Sequence, residues 1–198
     1  MGERSDRWRR RGGRVVVVAA AALGLWAWGC GEDVRRGGGD GTISADGDGA
    51  RWNNATQPTE DRTAADGDCG DALESGAMEL LNAERAAAGL GSLTCHLDML
   101  EVARDHSDDM IAREFFDHIN PDGEAPWDRM DRHGVFGWKT VGENIAAGQT
   151  TAREVHGDWM NSPGHRANIL TPEFTHAAIG VGQDAAGTLY WTQVFAQF

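Results

Sequence analysis

The C-terminal segment, residues 189 to 198, is the part of the sequence that most constrains the fold. Bulky apolar side chains fall on both sides of this extended run: Leu189, Trp191 and Phe195 on one side, Tyr190 and Val194 on the other. A strand that is apolar on both sides must be covered on both sides. Residues 177 to 183 form a second strand-like run, joined to the first by residues 184 to 187. The two runs predict a hairpin in a sheet that lies between helical layers.

Helix signals surround this sheet. Two capping-box pairs, Asp71 with Glu74 and Thr151 with Glu154, predict the starts of two helices. The other predicted elements are a helix after Cys95, a short helix over about 126 to 133 and an extended segment over 139 to 146. Helices and strands are therefore mixed along the chain, with a strand hairpin at its end.

The N-terminal residues have the pattern of an export signal. Residues 1 to 14 carry six arginines, residues 15 to 28 are apolar, and Gly29 and Cys30 follow. A membrane-spanning helix needs about 20 apolar residues, so this run is too short for one. We predict that residues 1–29 are a lipoprotein-type signal peptide and that Cys30 is lipidated. Ordinary cleavage and an uncleaved anchor are the alternatives.

Residues 30–68 are rich in Gly, Asp and Thr and nearly free of apolar side chains, which predicts a flexible acidic tether. The full chain has a net charge of −13. Without the six arginines and two acids of residues 1–29 it keeps 12 basic and 29 acidic residues, a net of −17. This charge argues against binding nucleic acid. We expect an exported protein, either a cell-envelope lipoprotein or secreted, that meets a membrane only through its lipid anchor.

The cysteines fit export. Of the three, Cys30 is assigned to lipidation, and Cys69 and Cys95 remain, 26 positions apart. In an exported protein this pair predicts a disulfide, which stabilises a fold by about 2–4 kcal/mol. The alternative is two buried free thiols. We place the folded domain at residues 69–198.

Two histidines and one glutamate are the candidate functional residues. Ser162 and Pro163 predict a helix start with a serine cap, which puts His165 in the first turn, where the helix dipole disfavours the imidazolium form. His118 lies between a helix end and a turn, and Glu143 has small and apolar neighbours. A buried carboxylate needs a partner, so the three residues are expected to lie together.

Residue spacing alone leaves the role of this cluster open. Two imidazoles and a carboxylate would bind a divalent metal and leave a position for water. Equally, the three would form a hydrogen-bonded network that fixes loops, and their spacing matches no metal motif. Ser107 and His106 are adjacent in one predicted helix and so diverge around its axis, which argues against a nucleophile–base pair.

The segment from about 80 to 195 resembles the CAP superfamily of cysteine-rich secretory proteins, venom antigens and plant pathogenesis-related proteins, and it is most similar to the short bacterial secreted members. The matching pieces, in family order, include Leu81-Asn82-Ala83-Glu84-Arg85, Phe116-Asp117-His118, Gly142-Glu143-Asn144-Ile145, Ser162-Pro163-Gly164-His165 and Tyr190-Trp191-Thr192-Gln193.

This resemblance implies an α+β fold: a three-layer α/β/α sandwich with a central antiparallel sheet and a surface cleft. In eukaryotic members two His and two Glu line that cleft. His118 and Glu143 match one of each, whereas Ser162 and Tyr190 stand where the second Glu and second His would be. His165 is the bacterial-type replacement. The predicted cleft is therefore His118, Glu143, His165, Ser162 and Tyr190, with His118, His165 and Glu143 as the candidate Zn²⁺ ligands.

The resemblance does not fix the reaction, and no catalytic residue is predicted. Our leading hypothesis is a monomeric, lipid-anchored binding domain whose cleft takes a small hydrophobic ligand or an envelope or extracellular protein. The first alternative is a zinc-dependent envelope hydrolase in which Glu143 is a third ligand or the general base. The second is a structural or interaction domain with no ligand, in which the cluster only supports the loops.

Overall fold

The structure is a computed structural model that describes residues 69–198 and, upstream, a strand at Val15–Val18. Its helices are α1 (Ala72–Ala87), α2 (Leu97–Ala112), α3 (Pro126–Arg132), α4 (Ala152–Asn161) and α5 (Pro163–Ile169). Its strands are β1 (Val15–Val18), β2 (Thr94–Cys95), β3 (Thr140–Ala147), β4 (His176–Gln183) and β5 (Leu189–Gln197). Helices and strands are mixed as predicted, and the short third helix is confirmed.

The strands form one sheet in the order β1-β3-β5-β4-β2. The three long strands are antiparallel, and β5 lies between β3 and β4. The two short outer strands pair in parallel with their neighbours. The turn at residues 184 to 187 closes the predicted hairpin, where the amide of Gly187 donates to the carbonyl of Asp184. The central antiparallel sheet of the α+β fold is therefore confirmed.

Helices cover both faces of the sheet, as the two-sided C-terminal strand predicts. One apolar core joins α1, α4 and α5 to the sheet and contains Trp159, Trp191 and Phe195. The other joins α2 and α3 to the opposite face and contains Val194 and Ala196 of the same strand. Since β5 supplies side chains to both cores, burial of this one strand holds the three layers together.

Two contacts fix α1 and α2 to one end of the sheet. Cys69 and Cys95 form the predicted disulfide, with their Cα atoms 5.9 Å apart, so the start of α1 is bonded to β2. α2 also packs directly on β4: a Cβ on Gly180 would lie 2.2 Å from the backbone nitrogen of Arg104. Glycine is therefore required at this close approach of helix and strand.

The short strand β1 was not predicted. Val15–Val18 pairs in parallel with β3 from Thr140 to Glu143, in a region where the sequence predicts an export signal. Valine favours extended backbone, and the side of β3 that faces away from β5 offers backbone groups for pairing. The remainder of the predicted signal, Cys30 and the tether lie outside the described residues. No helix in the described part of the chain has the length and apolar character needed to cross a bilayer.

Candidate functional site

Glu143 is the centre of the candidate site, on the middle of β3. Its register partner on β5 is Val194, and its side chain points towards the α2 layer because the next residue, Asn144, takes the opposite face. Both side chains are fully buried. A carboxylate at such a position must find hydrogen-bonding or charged partners within the protein.

Two side chains bind the carboxylate of Glu143. Nδ1 of His118 lies 2.9 Å from Oε1, and Nη2 of Arg129 donates to Oε2 at 2.5 Å. Burial by itself would raise the pKa of Glu143, but the charge of Arg129, reinforced by His106 and His118, lowers it to about 2. Glu143 is therefore ionised at neutral pH, and each of its oxygens has a partner.

Arg129, which the sequence did not single out, holds the cluster together. It lies on α3 and is only 1% exposed. Besides pairing with Glu143, its Nη1 donates to the backbone carbonyls of His118 and Glu124 at 3.0 and 3.1 Å. One guanidinium thus fixes both the carboxylate and the loop that carries His118, a geometry that lysine would not reproduce.

The tautomer of His118 follows from this pairing. An ionised carboxylate only accepts hydrogen bonds, so Nδ1 of His118 carries the proton and donates it to Glu143. In the neutral ring the lone pair then lies on Nε2. A histidine whose Nδ1–H is held by a carboxylate is fixed in orientation and presents Nε2 as a hydrogen-bond acceptor.

His106 is a second histidine beside Glu143. Its Nε2 donates to the carbonyl of Asp117 at 3.1 Å and lies 3.8 Å from Oε1 of Glu143. Burial lowers its pKa to about 4, against the opposing effect of the glutamate charge. The sequence indicates only that His106 diverges from Ser107 around the helix axis. The structure also places His106 close to the charge of Glu143, which the sequence did not predict.

His165 lies in the first turn of α5, as predicted, and is 4% exposed. Burial, followed by the charge of His118, lowers its pKa to about 4, so the ring is neutral at pH 7. A neutral ring agrees with the prediction, but the main cause of the lowered pKa is burial and not the helix dipole. The Nε2 atom of His165 is buried with no hydrogen-bond partner in the described part of the chain.

A network of side-chain amides holds α5 against β3. Nδ2 of Asn144 donates to the carbonyl of His165 at 3.2 Å and to Oε1 of Gln193 at 2.9 Å. Nδ2 of Asn168 in turn donates to Oδ1 of Asn144 and to the backbone carbonyl of Glu143. Because these bonds engage the backbone of both elements, they set the position of His165 relative to the strand.

Comparison with known proteins decides the family. The sequence profile of the CAP family, the cysteine-rich secretory protein family, matches residues 78–195, which is more than half of the chain. The chain belongs to this family. Glu143, His118 and His165 all fall within the matched segment, so the site described above is part of the CAP domain.

Two relatives of the CAP domain come from Bacillus subtilis. The uncharacterized protein YkwD is 48% identical over 124 residues, which are 63% of this chain and 47% of YkwD. The uncharacterized membrane protein YlbC is 32% identical over 60% of this chain and 32% of its own length. The chain therefore spans less than half the length of either relative.

Solved structures show the same CAP fold. An extracellular protein containing an SCP domain from Bacillus anthracis superposes with a TM-score of 0.57 at 32% identity, over 64% of this chain and 40% of that one. An outer surface protein of Borrelia burgdorferi gives a TM-score of 0.57 at 16% identity, over 61% of this chain and 88% of that one. The second likeness concerns the fold alone.

Ser162 and Tyr190 are the two remaining cleft residues predicted for the CAP domain. Ser162 is half-buried at the junction of α4 and α5 and occupies the N-cap position, but its hydroxyl makes no capping hydrogen bond, contrary to expectation. Tyr190 is half-buried on β5 and meets the ring of Phe116 edge-on, with centroids 6.5 Å apart. Through Phe116, Tyr190 borders the loop that carries His118.

The predicted metal ligands do not form a metal-binding group. Within the described residues, no three His, Cys, Asp or Glu side chains lie close enough together to hold a metal ion. Glu143 gives its oxygens to Arg129 and His118, which leaves two imidazoles, fewer than the three protein ligands of a catalytic zinc. As arranged here, the residues fit a hydrogen-bonded network and do not fit zinc.

Ser107 is a structural residue. Its hydroxyl lies 3.1 Å from the carbonyl oxygen of Gly180 and 2.9 Å from the hydroxyl of Thr192, so its hydrogen bonds tie α2 to β4 and β5. It points to the sheet, whereas His106 beside it points to Glu143. The two adjacent side chains therefore diverge around the axis of α2.

Proposed function

We propose that this CAP domain is a binding module whose cleft at His118, Glu143 and His165 takes up a small amphipathic, lipid-like ligand. The observation that carries the proposal is the neutral, buried ring of His165, whose Nε2 has no partner among the described residues. A buried polar atom without a partner is costly. A hydroxyl or carboxyl group of a ligand would supply the missing hydrogen bond.

The apolar part of such a ligand has a surface to rest on. Phe116, two residues before His118, is 36% exposed and packs edge-on against Tyr190. Exposed aromatic side chains beside a polar cluster suit a molecule with one polar end and an apolar body. An envelope or extracellular protein that inserts an apolar side chain is the alternative occupant.

Binding ranks above hydrolysis because the catalytic groups that hydrolysis needs are already engaged. Glu143 is held by Arg129 and has a pKa of about 2, which makes it a weak general base. Ser107 is bonded to the sheet. The zinc-dependent hydrolase would require Glu143 to leave both of its partners, and no contact among the described residues favours that change.

The ligand proposal is tested with a fluorescent fatty acid and a fluorescent sterol as probes. We expect saturable binding to the full exported protein and a loss of about tenfold or more in the His118→Ala/His165→Ala variant. His156→Ala is the matched control, since His156 is also a buried histidine but lies on α4 against the α1 layer. Equal affinity in wild type and double variant would remove this site assignment.

Two other results would point to the alternatives. Turnover of an ester or peptide substrate that chelation abolishes and zinc restores would replace the binding module by the hydrolase. If neither probe binds, and Glu143→Ala only lowers the melting temperature, the cluster is a structural element without a ligand.

We propose further that the domain is exported and held at the cell envelope by an acyl chain on Cys30. The support is the basic-then-apolar segment ending at Cys30, together with a Bacillus anthracis relative described as extracellular. Cells that express the chain should incorporate labelled palmitate into it, and Cys30→Ser should abolish the label. Persistent label in Cys30→Ser would exclude this anchor.

A further inference from the structure

The outer edge of β3, on the side away from β5, is a pairing surface separate from the cleft. Val15–Val18 pairs in parallel with the first half of β3, up to Glu143. Further along, side chains close the same edge: Nδ2 of Asn168 donates to the carbonyl of Glu143 at 3.1 Å, and Nε1 of Trp159 donates to that of Ile145 at 3.4 Å. The part of the edge that can accept a strand is therefore a short stretch ending at Glu143.

The backbone groups on this edge follow from the ladder on the other side of β3. The amide of Gly148 donates to the carbonyl of Leu189 at 2.9 Å, in the register that pairs the rest of β3 with β5. Hydrogen-bonded and non-bonded pairs alternate along an antiparallel ladder. Gly142 therefore bonds to β5, whereas Val141 and Glu143 turn their N–H and C=O groups to the outer edge.

On β1, Val17 is the residue that meets these groups. It lies opposite Gly142 in the parallel register, which directs its N–H to the carbonyl of Val141 and its carbonyl to the amide of Glu143. Its two neighbours on β1 turn their backbone groups away from β3. Because the backbone makes this pairing, the edge selects an extended segment and not one particular side chain.

The two outer edges of the sheet are held in different ways. β2 covers the edge of β4 and is fixed there by the disulfide of Cys95. β1 consists of four valines, so only non-covalent pairing holds it, and residues 19–68 connect it to the domain. A long connection gives only a modest effective concentration, so a competing segment can replace a strand held in this way.

We propose that the outer edge of β3, from Thr140 to Glu143, is a strand-addition site for an extended segment of a partner protein rich in β-branched residues. Val15–Val18 occupies this site as an internal competitor and gives the chemistry of the partner segment. Valine favours extended backbone, and main-chain hydrogen bonds supply the affinity in strand addition. Removal of residues 1–29, as the sequence predicts, would take β1 away and open the site.

This inference concerns the backbone of β3 and stands whether or not the cleft binds a lipid-like ligand. Hydrogen exchange in the full chain tests it first. The amides of Val141 and Glu143 should be protected in the wild type and lose about tenfold or more of that protection in Val17→Pro, because proline has no N–H. Gly142 donates to β5 and is the internal control. Val16→Pro is the matched variant, since its lost N–H points away from β3, and it should keep the protection.

The probe in trans is the peptide of residues 11–19, Arg-Gly-Gly-Arg-Val-Val-Val-Val-Ala. We expect saturable binding to the Val17→Pro chain that restores protection at Val141 and Glu143. The affinity should exceed that for the wild-type chain, where β1 competes, by about tenfold or more. Proline at the third valine of the peptide should weaken binding by about tenfold or more, whereas proline at the second valine, with the same charge, should not.

Equal binding of the two proline peptides would mean attraction to the negative charge of the chain and would overturn the proposal. Fast exchange of Val141 and Glu143 in the wild type, or no restored protection with the peptide, would overturn it as well. Loss of protection at Gly142 in Val17→Pro would show that β1 is a fixed part of the domain and does not exchange. Wild-type dimers that Val17→Pro abolishes would replace the partner protein by a second copy of this chain.

Discussion

Glu143 and Asn144 are neighbours on one strand, and both are fully buried. Each needs polar partners inside the protein, and the two residues find partners of different kinds. On the α2 face, Glu143 keeps its charge and is matched by Arg129 and two histidines. On the α5 face, Asn144 is neutral and is matched by the amides of Asn168 and Gln193. The two faces of β3 thus carry an ionic cluster and an amide network side by side.

Because only one face of β3 carries charges, the two faces should differ in their sensitivity to substitution and to pH. A buried ion pair has a large desolvation cost, and removing one partner leaves an uncompensated charge. An amide network loses only hydrogen bonds when it is cut, and it has no proton to gain or lose near neutral pH. The ionic face should therefore be the more sensitive to substitution and to pH, and the amide face should act as a fixed support for α5.

The largest effect is expected from Arg129→Met. This change leaves Glu143 ionised and unpaired inside the protein, and we expect a loss of about 3–5 kcal/mol in the free energy of unfolding. Urea denaturation at pH 7 measures it. The double variant Arg129→Met/Glu143→Gln should recover part of the loss, because it removes the stranded charge. A loss below about 1 kcal/mol would show that the pair behaves like an exposed one.

Acid should destabilise the domain in two steps, the first at His106 and His165 and the second at Glu143. The pKa values of His106 and His165 are lowered to about 4, so between pH 6.5 and 4 the unfolded chain binds protons that the folded chain does not, and stability falls as pH falls. Glu143, lowered to about 2, adds a further loss between pH 4.5 and 2. Each group is expected to contribute a loss on the order of a few kcal/mol.

Denaturation series at several pH values test this order. His165→Asn should flatten the slope between pH 6.5 and 4 and leave the lower step in place. A wild-type protein whose stability is constant from pH 6.5 to 4 would contradict the assignment of neutral, buried histidines.

A smaller effect is expected on the amide face. Asn144→Ala strips partners from Asn168, Gln193 and the carbonyl of His165, at a cost of about 1–3 kcal/mol. The loss should be the same at pH 5 and pH 7. Asn161→Ala, at an exposed position, is the control and should stay within about 0.5 kcal/mol. A pH-dependent loss in Asn144→Ala would mean that the two faces are coupled.

The smallest effect is expected at Ser162, beside the amide face. Its hydroxyl makes no capping bond, so Ser162→Ala should change stability by less than about 0.5 kcal/mol. Asp71→Ala is the comparison, because Asp71 does cap α1 and its loss should cost about 1 kcal/mol. Equal losses in the two variants, measured by thermal melting, would show that the serine contributes as a cap after all.

The layered fold could be predicted because the signals that specify it are local. The two-sided apolar pattern of β5 fixes a covered sheet, and the capping box at Asp71 fixes the start of α1. The strand at Val15–Val18 could not be predicted, because the same run of valines also fits an export signal.

The candidate site could be predicted only in part, because its partners are distant in sequence. His118 and Glu143 were singled out by their local sequence context and by the family motifs. Arg129 was missed, although the rule that a buried carboxylate needs a cation gives a reason to look for an arginine. Nothing in the spacing showed which of several arginines would be used, since that depends on how α3 packs. The same packing gave both oxygens of Glu143 to Arg129 and His118.

The bridge between Cys69 and Cys95 also determines how the domain would bear a mechanical load. Tension applied to the chain ahead of Cys69 passes through the sulfur atoms to β2, and α1 lies inside the closed loop between them. The 26-residue separation corresponds to about 90 Å of extended chain that cannot be pulled out while the bond is intact. Reduction of this one bond would release that length and expose α1 to unravelling by force.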